Sequence, residues 1–508
     1  MSKEKMVGIY KEKQELIEAL SDSIEHPRYV GLNLGSMAST SSTDHQETGK
    51  VQILERRLTI EDEEEEAAAD HEVVEVIEDE EKEAAAAADN LAASLMEKLE
   101  VEYRLLSPTC CIFKVPHNLR VVNEKVFIPQ AVSIGPIHHK KLERYEGMGK
   151  YKLHYLKQFL RRRPSITLKA CMKDCVRMLK SHEKTARECY ADDITLTSDE
   201  FVEMMMLDGC FIVELFLRSR NQLELGLHSE YDPLFDHRYL LNMIFEDLLL
   251  LENQLPFFVL KALFNFINNA CQLPNLWEIS FLELALEFVG YNEEDASTLQ
   301  EPSHLLDLKY KTGILSERIN EGDEDEGFSY LKIPTATQLW EAGVKFRATP
   351  LGTCLLNIKF ENGTLEIPTI EVDHNTEQLF RNLIAYEQCH IRRPYMANYF
   401  IVMDDLINSP GDVALLNRKG IIINNLGGDE EVSNLVNKML KNATFENKNF
   451  QYKNLYEKVN QYYQTPWHKQ KAKLKHDYFN SPWSFIAFLA ASAILICTFI
   501  QAVNSFKS

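Results

Sequence analysis

Two stretches decide the fold of this chain: FVEMMMLDGCFIVELFLR at residues 201–218 and DLLLLENQLPFFVLKALFNFI at residues 247–267. Both are apolar nearly all round a helix, which is typical of helices buried in a large core. Pro256 breaks the second run, and charged or amide side chains interrupt both, so neither is read as a membrane span. The interrupting residues are Asp208, Glu214, Glu252, Asn253 and Gln254.

The pattern around these runs predicts the rest of the domain. It is helical from residue 151 to about 288, and after an acidic loop it predicts strands at 344–347, 355–360 and 364–372. Asn362-Gly363 between alternating runs predicts a hairpin turn. Helical patterns resume over residues 374–389, 399–407, 413–416 and 430–441. The predicted fold class is mainly α (α+β), a large helical globular domain with a small antiparallel β-sheet.

The C-terminal stretch WSFIAFLAASAILICTFIQAV, residues 483–503, predicts one transmembrane helix in addition. The alternative is a buried C-terminal helix. Four lysines precede the stretch, which favours a single-pass C-terminal anchor with the bulk of the chain cytosolic and the lipid bilayer as a partner. Small residues at Ala487 and Ala491 favour a homo-oligomer, unless alanine is merely common in such helices. The span is marked by Trp483, Phe485, Leu489, Ile494, Phe499 and Val503.

Charge and composition divide the chain further. Of the net charge of −22, about −13 belongs to residues 61–83, where fourteen acids face one lysine. This tract is interpreted as a solvated spacer or as a lure for a basic partner, and nucleic-acid binding is excluded as a function. The predicted segments are a short N-terminal helical segment (1–30), a disordered acidic linker (31–90), a globular domain (91–450), a basic and aromatic segment (451–481), the span (482–503) and a tail (504–508).

Residues 111–139, CIFKVPHNLRVVNEKVFIPQAVSIGPIHH, carry a distinctive pattern. This segment resembles the signature of the plant-specific domain of unknown function 247 family, and the resemblance continues in order to the C-terminus. Departures occur at Ile137, Lys140 and Gly149, where the family usually has Tyr, Gly and Glu. The signature residues are Val115, Pro116, Leu119, Arg120, Asn123, Pro129, Ser133, Gly135, Pro136, His138, His139, Asp208, Gly209, Glu214, Glu252, Asn253, Gln254, Pro256, Asp373 and Glu387.

The resemblance implies a membrane-associated plant protein that acts in recognition or signalling through an unknown protein partner. Certain grass members are associated with self-incompatibility loci as candidate pollen-side determinants. The resemblance implies no reaction and no cofactor. A general role in stress or growth signalling is the alternative within the same family.

Two polar motifs are candidates for chemistry. His138-His139 follows a Gly-Pro turn, and adjacent histidines on an extended chain point in different directions, so a structural turn is favoured over a metal site. Asp208-Gly209-Cys210 lacks a paired histidine and a nucleophile elbow, so buried hydrogen bonding is favoured over catalysis. No catalytic, cofactor or metal residue is therefore predicted.

The remaining polar residues are interpreted as structural. Glu252-Asn253-Gln254 is expected to tie loops or helix ends to the core, because buried polar groups need partners. Asp373 resembles a helix N-cap. The sequence thus predicts a non-catalytic interaction protein. The competing hypothesis is an enzyme of unknown chemistry that uses His138, Glu252 and Asp373, and it requires these side chains to meet in one open pocket.

Overall fold

A computed structural model describes residues 82–99, 106–139, 146–225, 232–268, 279–291, 299–314, 332–351, 353–391, 394–444, 450–466 and 482–505. The chain divides into two units, Met1–Arg104 and Leu105–Ser508. In the first unit, residues 82–99 form an exposed helix (α1) that includes the alanine run at 84–88. The predictions for residues 1–30, for 31–81 and for 467–481 lie outside the described residues.

The second unit is mainly helical, as predicted. Its N-terminal helices are α2 (His117–Arg120), α3 (Glu146–Arg161), α4 (Leu168–Glu188), α5 (Ser198–Leu225), α6 (Pro233–Asp236), α7 (Arg238–Asp247), α8 (Phe257–Asn268), α9 (Phe281–Val289) and α10 (Leu305–Ile314). Its C-terminal helices are α11 (Ala336–Glu341), α12 (Thr376–His390), α13 (Tyr395–Leu406), α14 (Pro410–Arg418), α15 (Asp429–Met439), α16 (Lys453–Gln464) and α17 (Pro482–Ser505).

Five short strands form two small sheets. They are β1 (Lys345–Thr349), β2 (Lys359–Glu361), β3 (Thr364–Pro368), β4 (Ile370–Val372) and β5 (Ile422–Asn424). The predicted hairpin is confirmed, because β2 and β3 pair antiparallel around Asn362 and Gly363, which both have positive φ. The predicted purely antiparallel sheet is wrong, because β1 pairs parallel with β3 and β4 pairs parallel with β5. Each parallel pair needs a crossover connection, which no local pattern reveals.

Buried side chains form two hydrophobic clusters in this unit. The first cluster gathers α3, α4, α5, α8 and α9, and the second gathers the strands with α11 to α16. Both runs that opened the sequence are largely in the first cluster. The segment 111–134 contributes Ile112 and Val132 to the first cluster but Val115 and Phe127 to the second, so it lies along the boundary of both.

The transmembrane helix predicted for residues 483–503 is not supported by the structure. Within the described residues, no helix combines the length and the apolarity that a membrane crossing requires. The predicted span and the predicted single-pass anchor are therefore wrong, whereas the homo-oligomer stays a prediction.

Two helical glycines, Gly149 in α3 and Gly209 in α5, should respond oppositely to substitution by alanine. At Gly209, an added Cβ would lie 2.3 Å from Cδ1 of buried Leu263, whereas Gly149 in α3 has open space. We expect Gly149→Ala to raise the free energy of unfolding by about 0.5–1 kcal/mol through helix propensity. Gly209→Ala should lower it by about 1–2 kcal/mol, because the close approach of α5 to α8 leaves no room. Urea denaturation checks both values, and equal shifts would contradict the packing argument.

Candidate functional site

The loop between α7 and α8 carries Glu252, whose carboxylate meets donors from the signature segment. Oε1 accepts a hydrogen bond from the N–H of Val115 at 2.7 Å and another from the Arg120 guanidinium. Oε2 lies 2.9 Å from His138 Nε2. Burial alone would raise the pKa of Glu252, but its contacts with His138, Arg120 and Val115 lower the pKa below its usual value. Glu252 therefore holds three parts of the segment at once.

The next two residues continue the attachment. Asn253 accepts from the N–H of Ile134 at 2.7 Å and donates to the carbonyl of Val132 at 3.0 Å. Gln254 donates to the carbonyls of Leu248 and Leu250 and accepts from the first N–H groups of α10. The prediction that this triplet ties loops and helix ends to the core is confirmed.

A carboxylate that the sequence reasoning did not single out, Asp247, completes the loop. It accepts from the consecutive N–H groups of Gln130, Ala131 and Val132 at 2.5–3.0 Å. Burial raises the pKa of Asp247 to about 6, against the lowering effect of these three donors. We call Asp247, Glu252, Asn253 and Gln254 the boundary network, because they bind the segment that runs between the two clusters.

The helix α5 supplies two further buried carboxylates. Asp208 accepts from the N–H of Gly135 at 2.9 Å and from Lys152, while Glu214 pairs with Arg162 and Arg218. The prediction that both make buried hydrogen bonds is confirmed. Gly135 itself has φ of +72°, and an added Cβ would lie 2.5 Å from the carbonyl oxygen of Gln254, so only glycine fits this turn.

The two histidines of the signature separate, as their adjacency predicts. The His138 side chain is buried against Glu252, whereas His139 lines an exposed cleft. In the described part of the chain, no group of three His, Cys, Asp or Glu side chains is arranged to hold a metal ion. Asp373 accepts from the N–H groups of Asn375 and Thr376 at 3.0 Å and so serves the start of α12, although Asn375 is the N-cap residue.

A second buried polar group, the His304 side chain, joins the signature segment to the start of α10. His304 accepts at Nδ1 from the N–H of Asp307 at 3.1 Å, so Nε2 carries the proton that it donates to the carbonyl of Cys111 at 3.1 Å. Burial lowers the pKa of His304 to about 4.

Glu387 accepts from the N–H groups of Met396 and Ala397 at the start of α13, and burial raises its pKa to about 7.

Two clefts open beside these residues. The first, of about 380 Å³, lies between the Pro136–His139 turn and the segment 190–196; Lys114 and Asp192 form an ion pair of 3.2 Å on its wall. The second, of about 420 Å³, contains Asn123 and Asp373 among charged side chains of α12 and α15. Glu252 and His138 line neither cleft, so neither of these two clefts brings together the three side chains that the enzyme hypothesis requires.

Sequence reasoning also missed three features. Asp247 begins a long apolar run, and an acid in that position is itself a signal of a buried acceptor. The pairing of His304 with Cys111 joins residues 193 positions apart, for which no local signal exists. The third is a set of exposed cations on α3 and α4, which helical spacing in the sequence does reveal.

Comparison with known proteins places the chain in a family. The sequence profile of DUF247, described as a plant protein of unknown function, matches residues 112–497. The UPF0481 protein At3g47200 of Arabidopsis thaliana is 30% identical, over 79% of this chain and 87% of the relative. A second UPF0481 protein of Arabidopsis thaliana, At3g02645, is 25% identical over 81% of this chain and 93% of the relative. No solved structure matches the chain. The match over most of the length, which includes the signature segment and the boundary network, shows that this chain belongs to the DUF247 family of plant proteins.

Proposed function

We propose that this chain is a non-catalytic interaction protein that binds a protein partner. The proposal rests on the hydrogen bonds and ion pairs that its buried carboxylates make. Asp208, Asp247 and Glu252 accept from donors of the signature segment, and Glu214 pairs with two arginines. Groups engaged in this way hold a rigid framework, and rigid frameworks present recognition surfaces with little loss of entropy on binding.

Partner capture followed by reconstitution tests this proposal. The full chain, tagged at its N-terminus, is cross-linked in plant tissue, and each captured protein is then purified and titrated against the purified chain. We expect at least one partner to bind with fixed stoichiometry and a Kd below about 10 µM, a range typical of specific complexes. Failure of every captured protein to bind in purified form would overturn the proposal.

A narrower proposal within this class is self/non-self recognition. It is supported by the position of Ile137, which lines the first cleft and stands where the resemblance to the family leads us to expect tyrosine. Sequencing alleles from many plants tests it. We expect high diversity at the cleft residues and linkage to incompatibility; low diversity or an unlinked gene would remove this role.

A further inference from the structure

The helices α3 and α4 carry positive charge in a strongly acidic protein. Residues 146–188 contain twelve Lys and Arg against four Asp and Glu, a net +8, while the whole chain carries −22. Like charges that lie close together repel each other, so this local excess of positive charge needs an explanation.

On α4 the cations lie along one face. Their spacings of four, four, three and four residues place them within about 80° of arc, on the side opposite buried Cys171, Cys175 and Leu179. The row is about 22 Å long at 1.5 Å per residue. Its members are Lys169, Lys173, Arg177, Lys180 and Lys184, all exposed.

Within the described residues, few carboxylates neutralise this row. Arg177 pairs with Asp174 at 3.0 Å and Lys180 with Asp199 at 2.7 Å, both at exposed sites. Among the described residues, Lys169, Lys173 and Lys184 have no carboxylate partner. Exposed pairs contribute little, so the row keeps most of its positive potential.

The neighbouring helix α3 extends the charge. It packs against both α4 and α5, and its exposed positions recur at intervals of four, three and four residues. These positions are Lys150, His154, Lys157 and Arg161. None of the three Lys and Arg residues has a carboxylate partner in the described part of the chain. We call these four residues and the row on α4 the basic face.

Folding alone does not account for the basic face. Like charges three or four residues apart destabilise a helix by about 0.2–0.5 kcal/mol per pair, and α4 has four such pairs in succession. On an ordinary solvent-exposed face, carboxylates would lie among the cations, and this acidic protein has many carboxylates. An anionic partner that covers the face would relieve this repulsion.

We propose that the basic face binds an acidic segment of a partner protein, an inference that rests on the proposed function and names the chemistry of the partner. The apolar side chains Leu153, Leu168 and Met172 are 59%, 41% and 40% exposed on the same two helices. They offer apolar contacts that a polypeptide can use and a phosphate backbone cannot. The net charge of −22 also repels a long polyanion. An acidic segment no longer than the row of cations on α4 can bind that row without approaching the acidic rest of the chain.

Titration of the full chain with a defined probe tests the proposal. The probe is a synthetic Glu-rich peptide of about 20 residues with interspersed Leu, long enough to follow the row, and its counterpart has Gln for every Glu. We expect the acidic peptide to bind with an affinity that falls as salt rises, and the Gln peptide to bind at least about tenfold more weakly. Equal binding of the two peptides would overturn the proposal.

Matched variants locate the site. Lys169→Glu, Lys173→Glu and Lys184→Glu together should weaken peptide binding at least about tenfold. The control combines Lys125→Glu, Lys359→Glu and Lys441→Glu, exposed lysines elsewhere with the same total charge change, and should stay within about twofold. Equal losses in both variants would reduce the effect to net charge and overturn the proposal.

Competing ligands and the natural partner complete the test. Tighter binding of a DNA duplex, or of phosphatidylserine vesicles, than of the acidic peptide would overturn the proposal. A captured partner that binds the α4 variant as tightly as the unmodified chain would also overturn it, while the proposed function stands. Specific peptide binding with no protein partner in tissue would instead support the face and contradict the proposed function.

Discussion

Glu252→Ala is expected to lower the free energy of unfolding by about 3 kcal/mol, the largest single-residue effect that we predict. The substitution leaves the Arg120 guanidinium, the His138 ring and the N–H of Val115 without their acceptor. Removing one member of a buried charged pair costs about 3–5 kcal/mol, and the partial exposure of Arg120 places the value at the lower end. Urea denaturation followed by circular dichroism measures it.

Two comparisons isolate the cause of this loss. Glu341→Ala removes an exposed carboxylate and should change stability by less than about 0.5 kcal/mol. The double substitution Glu252→Ala with Arg120→Ala should lose less than the sum of the two single losses, because no guanidinium is then left without its carboxylate. A Glu252→Ala protein as stable as the unmodified chain would show that the boundary network does not hold the signature segment.

Acidification should destabilise the protein through His304. The unfolded side chain titrates near pH 6.5 and the folded one near pH 4, so below pH 6.5 the unfolded state binds more protons. The contribution of His304 is complete above pH 6.5 and is lost as the pH falls toward 4. Between pH 7 and pH 5 the loss amounts to about 2 kcal/mol.

This loss must be measured as a difference between variants, because Asp247 and Glu387 act in the opposite direction. Burial raises the pKa of both carboxyl groups, so their protonation favours the folded state on acidification. His304→Gln keeps a donor and an acceptor but does not titrate. We expect the stability gap between the unmodified chain and His304→Gln to change by about 2 kcal/mol between pH 7 and pH 5. A constant gap for His304→Gln would contradict the assignment.

The sequence alone determined the helical character of the protein and its family. The run at 201–218 lies within one buried helix, α5, and the part of the second run that follows Pro256 forms the buried helix α8. The Asn362-Gly363 turn and the burial of Asp208 and Glu252 followed in the same way, since a positive φ or a carboxylate in an apolar run permits few environments. The motif 111–139 identified the family because its residues are read directly from the chain.

The tertiary structure alone decided which partner each polar residue meets. That Glu252 joins Val115, Arg120 and His138, and that His304 meets Cys111, depends on contacts across more than a hundred positions, which no local periodicity encodes. The parallel pairing of β1 with β3 likewise depends on the path of the chain between them. The predicted membrane span was wrong, because no helix in the described part of the chain is both long enough and apolar enough to cross a membrane. The basic face depended on both. The spacing in the sequence placed its cations on one side of each helix, and the packing of the two helices against α5 showed that this side is exposed.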